Sequence, residues 1–139
     1  MFGWFRRKNE PPVRFPDNES AFAHACTMGH RLLLNALIPA LVIGTGRRGS
    51  EGERYFRLRL AGHEGALEIW GCTMAGAPGY PEVGDLVAFR IVRIAEELPP
   101  EAQLIGYIAC KLEPVLNRSK GWLVASSFTP AHLKPELHL

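Results

Sequence analysis

The sequence has few cysteines, no long hydrophobic run and little net charge. Its three cysteines, Cys26, Cys72 and Cys110, are an odd number at wide spacing, so neither a disulfide framework nor a C-x-x-C pair is predicted. The longest apolar stretch, 32–43, is interrupted by an asparagine and a proline and is shorter than the roughly 20 residues of a membrane-spanning helix. No apolar segment follows the basic residues 6–8, as it would in a secretory signal. We therefore expect a cytoplasmic chain with reduced thiols.

Neither basic nor acidic side chains predominate in the chain. The chain has 16 basic and 14 acidic side chains and a net charge of +2, which by itself does not indicate nucleic-acid binding. The two halves differ, because residues 1–60 contain ten basic and five acidic side chains and the remainder contains six and nine. An anion-binding face is therefore expected in the first half.

Internal repeats and low-complexity segments are absent as well. With 139 residues, 47% of them hydrophobic, the chain is long enough for one domain with its own core, without metal or disulfides. We predict an N-terminal tail over 1–16, a single domain over 17–128 and a C-terminal tail over 129–139.

One helix is predicted, near the start of the domain. Asp17 or Asn18 can cap it, and Phe22 and Cys26 lie on one apolar stripe at helical spacing. The helix is expected to run to Met28 and to stop at the following glycine. Residues 31–37 are compatible with either helix or strand.

After residue 37 the hydrophobic period changes to two, which is typical of strands. No helix long enough for a parallel crossover separates any two strands, so the sheet is expected to be antiparallel. One helical turn is expected after Pro99 and Pro100, and Pro114 is expected to end a strand. The predicted strands are 38–43, 53–60, 66–73, 85–95, 104–112 and 122–126.

These elements predict an all-β fold with one N-terminal helix: a small antiparallel five- to six-stranded barrel, OB-like or SH3-like. The helix is expected to pack on the barrel. The predicted core consists of Phe22, Val42, Phe56, Leu58, Leu60, Leu67, Ile69, Val87, Phe89, Ile91, Ile108 and Val124.

A glycine pattern and a thiol–imidazole pair resemble ligand sites in their spacing. Gly44-x-Gly46-x-x-Gly49 matches a dinucleotide-binding string, but a strand follows it instead of the helix that would hold the pyrophosphate. It predicts a hairpin loop over 44–52 and no cofactor. Cys26 and His30 have metal-ligand spacing, but a glycine separates them and no second pair is near in sequence, so no metal site is predicted.

The most informative pattern is an alternation of arginine and aromatic residues on outward strand positions. Exposed rings beside cations are typical of protein interfaces and also of surfaces that bind single-stranded nucleic acid. The leading hypothesis is a non-enzymatic module that binds a partner protein. The alternative is an OB-like barrel that binds single-stranded nucleic acid. The residues proposed to bind are Tyr55, Arg57, Arg59, Trp70, Tyr107 and Lys111.

Two further hypotheses remain open. No G-x-S-x-G elbow or acid–base pair is present, so an enzyme would need a site between the helix and the barrel mouth, formed by His24, His30 or Cys26. A homodimer would form if an edge strand, such as the one over 53–60, paired with a second copy.

Overall fold

The computed structural model describes residues 11–50, 52–72, 81–125 and 139. Within these residues it contains one α-helix, one 3-10 turn over Pro100–Ala102, and eight strands. The helix is α1 (Asn18–Ala25), and the strands are β1 (Val13–Arg14), β2 (Leu37–Arg48), β3 (Glu53–Leu60), β4 (Ala66–Ile69), β5 (Gly71–Cys72), β6 (Leu86–Ile94), β7 (Leu104–Asn117) and β8 (Gly121–Val124).

Helix α1 begins at the predicted cap and is shorter than predicted. The Asp17 carboxylate accepts a hydrogen bond from the backbone N–H of Ser20 at 2.7 Å. The helix ends at Ala25 rather than Met28, because the backbone N–H groups of Thr27 and Met28 bond to carbonyls three residues back and tighten the chain into turns. Its apolar side packs on β2, β6 and β7. No helix in the described ranges is long and apolar enough to cross a membrane.

The strands form a sheet with the order β1-β7-β6-β2-β3-β4. Strand β8 also pairs with β7, and every pair is antiparallel except β5 with β7. The predicted all-β class with one helix is therefore confirmed. Residues 31–36 are neither helix nor strand, and β2 begins at Leu37.

The predicted barrel is not closed by hydrogen bonds. Strand β3 pairs with β4, but among the described strands β4 and β7 share no ladder. The chain itself crosses the gap: it passes through Trp70, and Gly71–Cys72 then pairs in parallel with Tyr107 and Ile108. The sheet thus curves round the core and stays open between β4 and β7.

Two strands are longer than predicted. Strand β2 continues through the predicted glycine loop to Arg48, because side chains of β3 cover the two glycines at 44 and 46. Strand β7 continues past Pro114 to Asn117, since a register shift against β8 between Leu112 and Leu116 accommodates the proline.

The predicted hydrophobic core is confirmed, and the observed core is larger than predicted. All twelve predicted core residues are buried, and the large ring of Trp122 joins them. Both predicted tails contribute to the sheet: Val13–Arg14 pairs with β7, and the backbone of Leu139 forms two hydrogen bonds with that of Trp122.

The predicted edge position of strand β3 is wrong. Strand β3 pairs with β2 over its whole length and with β4 over residues 56–59, so it lies inside the sheet and is not an edge strand. Its sequence pattern, 53–60, is nevertheless the observed strand to the residue.

Candidate functional site

The register of β2, β3 and β4 brings arginine, tyrosine, tryptophan and glutamate onto one outward surface. On β3, Phe56 and Leu58 point into the core, so Tyr55 and Arg57 point outward. Arg57 lies directly opposite Glu68 on β4. The outward surface formed by Arg48, Tyr55, Arg57, Glu68 and Trp70 is called the aromatic–arginine face below.

The two rings of this face are in contact. The centroids of Tyr55 and Trp70 are 5.5 Å apart, and the rings are tilted by 46°. Trp70 is 45% exposed, an unusual degree for a large hydrophobic side chain in a folded domain. Its exposed ring is therefore the main stacking surface that the face offers to a ligand.

Arg48 covers the ring of Tyr55. Its guanidinium carbon lies 4.4 Å from the ring centroid, a cation–π distance. The same guanidinium forms a 2.6 Å ion pair with the carboxylate of Glu68. Arg48 on β2 thus reaches across β3 to β4, and its side chain remains 55% exposed.

A groove opens beside Trp70, where the sheet lacks hydrogen bonds between β4 and β7. It encloses about 350 Å³, within the range of small-ligand pockets. Apolar side chains make up most of the lining. The lining residues are Glu68, Ile69 and Trp70 on the β4 side, with Leu98, Ala102, Leu104, Ile105 and Gly106 opposite.

The remaining predicted site residues lie further from Trp70. Arg59 places its guanidinium 5.5 Å from the ring centroid of Phe22 on α1. Tyr107 pairs with Gly71, the residue after Trp70, and so adjoins the groove. Lys111 forms a 3.1 Å ion pair with Asp85 and lies roughly 13 Å further along β7 than Tyr107.

The structure therefore groups only part of the predicted set. Tyr55, Arg57 and Trp70 form one surface with Tyr107 at its margin, whereas Arg59 and Lys111 are held by other neighbours. Arg48 and Glu68 are the members that the sequence reasoning missed. Simple alternation could not have found Arg48, because it shares the parity of the buried Val42, and only the β-bulge between Val42 and Gly44 turns the later even-numbered residues outward.

A second hollow beside the helix bears on the enzyme hypothesis. It encloses about 520 Å³ between α1 and the sheet, and Cys26 and Arg59 line it. Neither His24 nor His30 belongs to this lining. His30 is half-buried elsewhere, and burial lowers the pKa of its imidazole. The hollow thus holds one of the three side chains that the hypothesis needs.

Metal ligation and similarity to known proteins add no further site. In the described part of the chain, no group of three or more histidine, cysteine or acidic side chains could hold a metal ion. Comparison of the chain with protein-family models, curated proteins and solved structures found no match. The aromatic–arginine face and the adjoining groove are therefore interpreted from their own chemistry.

Proposed function

We propose that this chain is a non-enzymatic domain with an OB-like barrel that binds single-stranded nucleic acid on the aromatic–arginine face. The observation that carries the proposal is the exposed ring of Trp70 in contact with Tyr55, with Arg48 and Arg57 beside them. Stacking rings next to cations are what a surface needs to hold unpaired bases and their phosphates.

The strand order supports this location of the site. Strands β6-β2-β3-β4 follow the Greek-key order, in which the fourth strand lies beside the first. An OB-fold is a five-stranded, partly open Greek-key barrel that binds oligonucleotides or oligosaccharides on its second and third strands. Counted from β2, the second and third strands are β3, which carries Tyr55 and Arg57, and β4, which Trp70 directly follows.

The loops that flank the face fit the same arrangement. In OB-folds the loop between strands one and two and the loop between strands four and five border the ligand. Here the first follows Arg48, and the second, over 95–103, contributes Leu98 and Ala102 to the groove. The two outward arginines favour a polyanion over an uncharged oligosaccharide.

Titration with short single-stranded oligonucleotides tests the proposal. Fluorescence anisotropy with labelled DNA and RNA of roughly 12 nucleotides covers the usual site size of one OB-fold. Trp70→Ala is expected to weaken binding by about 5- to 150-fold, the range for loss of one base-stacking ring. Val92→Ala removes another exposed apolar side chain, on β6, and serves as the control.

The salt dependence gives a second readout of the same proposal. Arg57→Gln is expected to reduce the slope of log affinity against log salt by about 0.7, because one phosphate contact is lost. The wild-type chain failing to bind any oligonucleotide at low salt, with its fold intact, would overturn the proposal. Equal affinities for Trp70→Ala and Val92→Ala would move the site away from this face.

A protein partner is the second candidate, and the apolar lining of the groove favours it. Beside Trp70, the groove is lined by Leu98, Ala102 and Leu104, and an apolar side chain of a bound peptide could pack against them. Binding to a protein through such anchors depends weakly on salt, whereas phosphate binding falls steeply as salt rises. The ionic-strength series therefore separates the two candidates.

A cytoplasmic site of action also belongs to the proposal. Cys26 is an exposed free thiol, and Cys110 is a buried one. Free thiols of this kind persist in a reducing compartment, where single-stranded nucleic acid is also available.

A further inference from the structure

The carboxylate of Glu68 occupies the position on Arg48 that a phosphate would take. We propose that Arg48 and Glu68 form a displaceable latch over Tyr55, and that a backbone phosphate of single-stranded nucleic acid opens it by replacing Glu68. This inference rests on the proposed function and specifies how the same face accepts its ligand.

The closed form of the latch is defined by two contacts of one side chain. The Arg48 guanidinium is paired with Glu68 at 2.6 Å and lies 4.4 Å from the centroid of Tyr55. A base cannot stack on the side of the ring that the guanidinium covers. In the closed form Trp70 is therefore the more exposed ring of the pair, and Tyr55 is partly buried with Arg48 over its ring.

The latch is built so that it can open. Both partners are surface groups, with side-chain exposures of 55% for Arg48 and 29% for Glu68. Exposed ion pairs contribute little free energy, so exchange of one anion for another is readily reversible. A phosphate matches the guanidinium fork as well as a carboxylate does and carries its charge into the same position.

Opening the latch would add a second stacking surface. Once Arg48 turns toward a phosphate, the Tyr55 ring becomes accessible 5.5 Å from the Trp70 ring. Two neighbouring rings can then take two bases, while Arg48 and Arg57 face the backbone. A ligand without an anionic group cannot replace Glu68, so the latch selects charged strands over neutral ones.

The Glu68 carboxylate also acts on Arg57, the residue opposite it on β3. Arg57 lies directly across from it in the ladder, so Glu68 lowers the positive potential at both outward arginines. A phosphate approaching the face must overcome this resident negative charge. Removal of the charge is therefore expected to strengthen binding rather than weaken it.

The experiment is a double-mutant cycle measured with labelled single-stranded DNA at fixed salt. Glu68→Gln is expected to tighten binding about 3- to 10-fold and to steepen the salt dependence, because Arg48 then serves the phosphate alone. In an Arg48→Gln background the gain from Glu68→Gln is expected to fall below about 2-fold. Glu64→Gln makes the same charge change at the exposed turn before β4 and is the matched control.

The outcomes separate the latch from the proposed function. If the wild-type chain binds and Glu68→Gln binds no more tightly, the latch is overturned and the proposed function stands. If the gain persists in the Arg48→Gln background, or if Glu64→Gln produces it too, Glu68 acts through general charge and the latch is likewise overturned. If no variant binds, the proposed function itself fails, and the latch fails with it.

Discussion

Tyr55 lies directly against the backbone of Gly46 on the neighbouring strand. A Cβ built on Gly46 would be 2.6 Å from Cε1, Cζ and Oη of the Tyr55 ring, closer than such atoms approach in proteins. Only a residue without a Cβ fits beneath this ring. The contact with the ring in turn offsets the poor strand preference of glycine. It fixes the ring beneath Arg48 and beside Trp70.

Gly46→Ala tests this relationship. The added methyl group must push the Tyr55 ring aside, and we expect a loss of about 1–2 kcal/mol in the free energy of unfolding. In a Tyr55→Ala background the same substitution should cost nothing, because the space is empty. Urea denaturation of the four proteins measures the coupling, and an equal cost in both backgrounds would show that the ring does not occupy this position.

Neighbouring residues of β3 should separate stability from binding. Phe56 is fully buried, so Phe56→Ala is expected to lower the free energy of unfolding by about 3–5 kcal/mol. Tyr55→Ala should lower it far less and should weaken oligonucleotide binding, since the ring lies on the outward surface. Denaturation and anisotropy titrations on the two variants check this, and a similar stability loss for both would refute the alternation.

Lys111 should contribute little to binding, although the sequence pattern groups it with the site. Its ammonium is paired with Asp85, and it lies on β7 away from Trp70. Lys111→Ala is expected to stay within about 2-fold of the wild-type affinity for single-stranded DNA, whereas Arg57→Ala should weaken it clearly. Comparable losses in the two variants would mean that the ligand path extends along β7.

Thiol chemistry should distinguish the two described free cysteines. Burial raises the pKa of the Cys110 thiol from 9.0 to about 12, while Cys26 is exposed. At pH 8 a thiol reagent should modify Cys26 rapidly and Cys110 only after unfolding. Peptide mapping by mass spectrometry measures both rates, and rapid labelling of Cys110 in the folded chain would contradict its burial.

The same shift predicts a pH effect on stability. Between pH 9 and about 12 the thiol of Cys110 keeps its proton in the folded chain but has lost it in the unfolded chain. The contribution of this thiol to the free energy of unfolding is therefore full below pH 9 and declines as the pH rises toward 12. Cys110→Ala should remove that part of the alkaline decline. Parallel pH series of denaturation for the two proteins provide the comparison, and identical slopes would contradict the shift.

His30 should make the free energy of unfolding fall in the other direction, as the pH decreases into the acid range. Burial lowers its pKa from 6.5, so its contribution to stability is present above pH 6.5 and is lost as the pH falls through the lower folded value. His30→Gln should therefore flatten the stability profile in mildly acidic buffer. The histidine C–H signals in NMR report the titration directly, and a midpoint at or above 6.5 for His30 would refute this assignment.

The features that could be predicted from the sequence are those that depend on interactions between residues close together in the chain. Alternation along β3 identified both the strand and its buried face, because each residue's side is fixed by local pleating. The helix cap at Asp17 was equally local. Such features need no knowledge of the partner strand.

Cross-strand relationships were not predictable in the same way. The glycines of β2 suggest a loop until the ring of Tyr55 is placed over Gly46, and Pro114 suggests a strand end until the register shift in β7 is known. The pairing of Arg48 with Glu68 joins residues 20 positions apart across three strands. Local periodicity carries no information about such contacts.

NMR titration of the isotopically labelled full chain with single-stranded DNA tests the central claim most directly. We predict saturable shifts of the Trp70 indole N–H and of the Tyr55, Arg57 and Glu68 amides, with the buried Trp122 indole unchanged. These shifts should fade as salt is raised. No saturable shift at low salt, or shifts confined to residues away from β3 and β4, would contradict the assignment of this face as a nucleic-acid-binding surface.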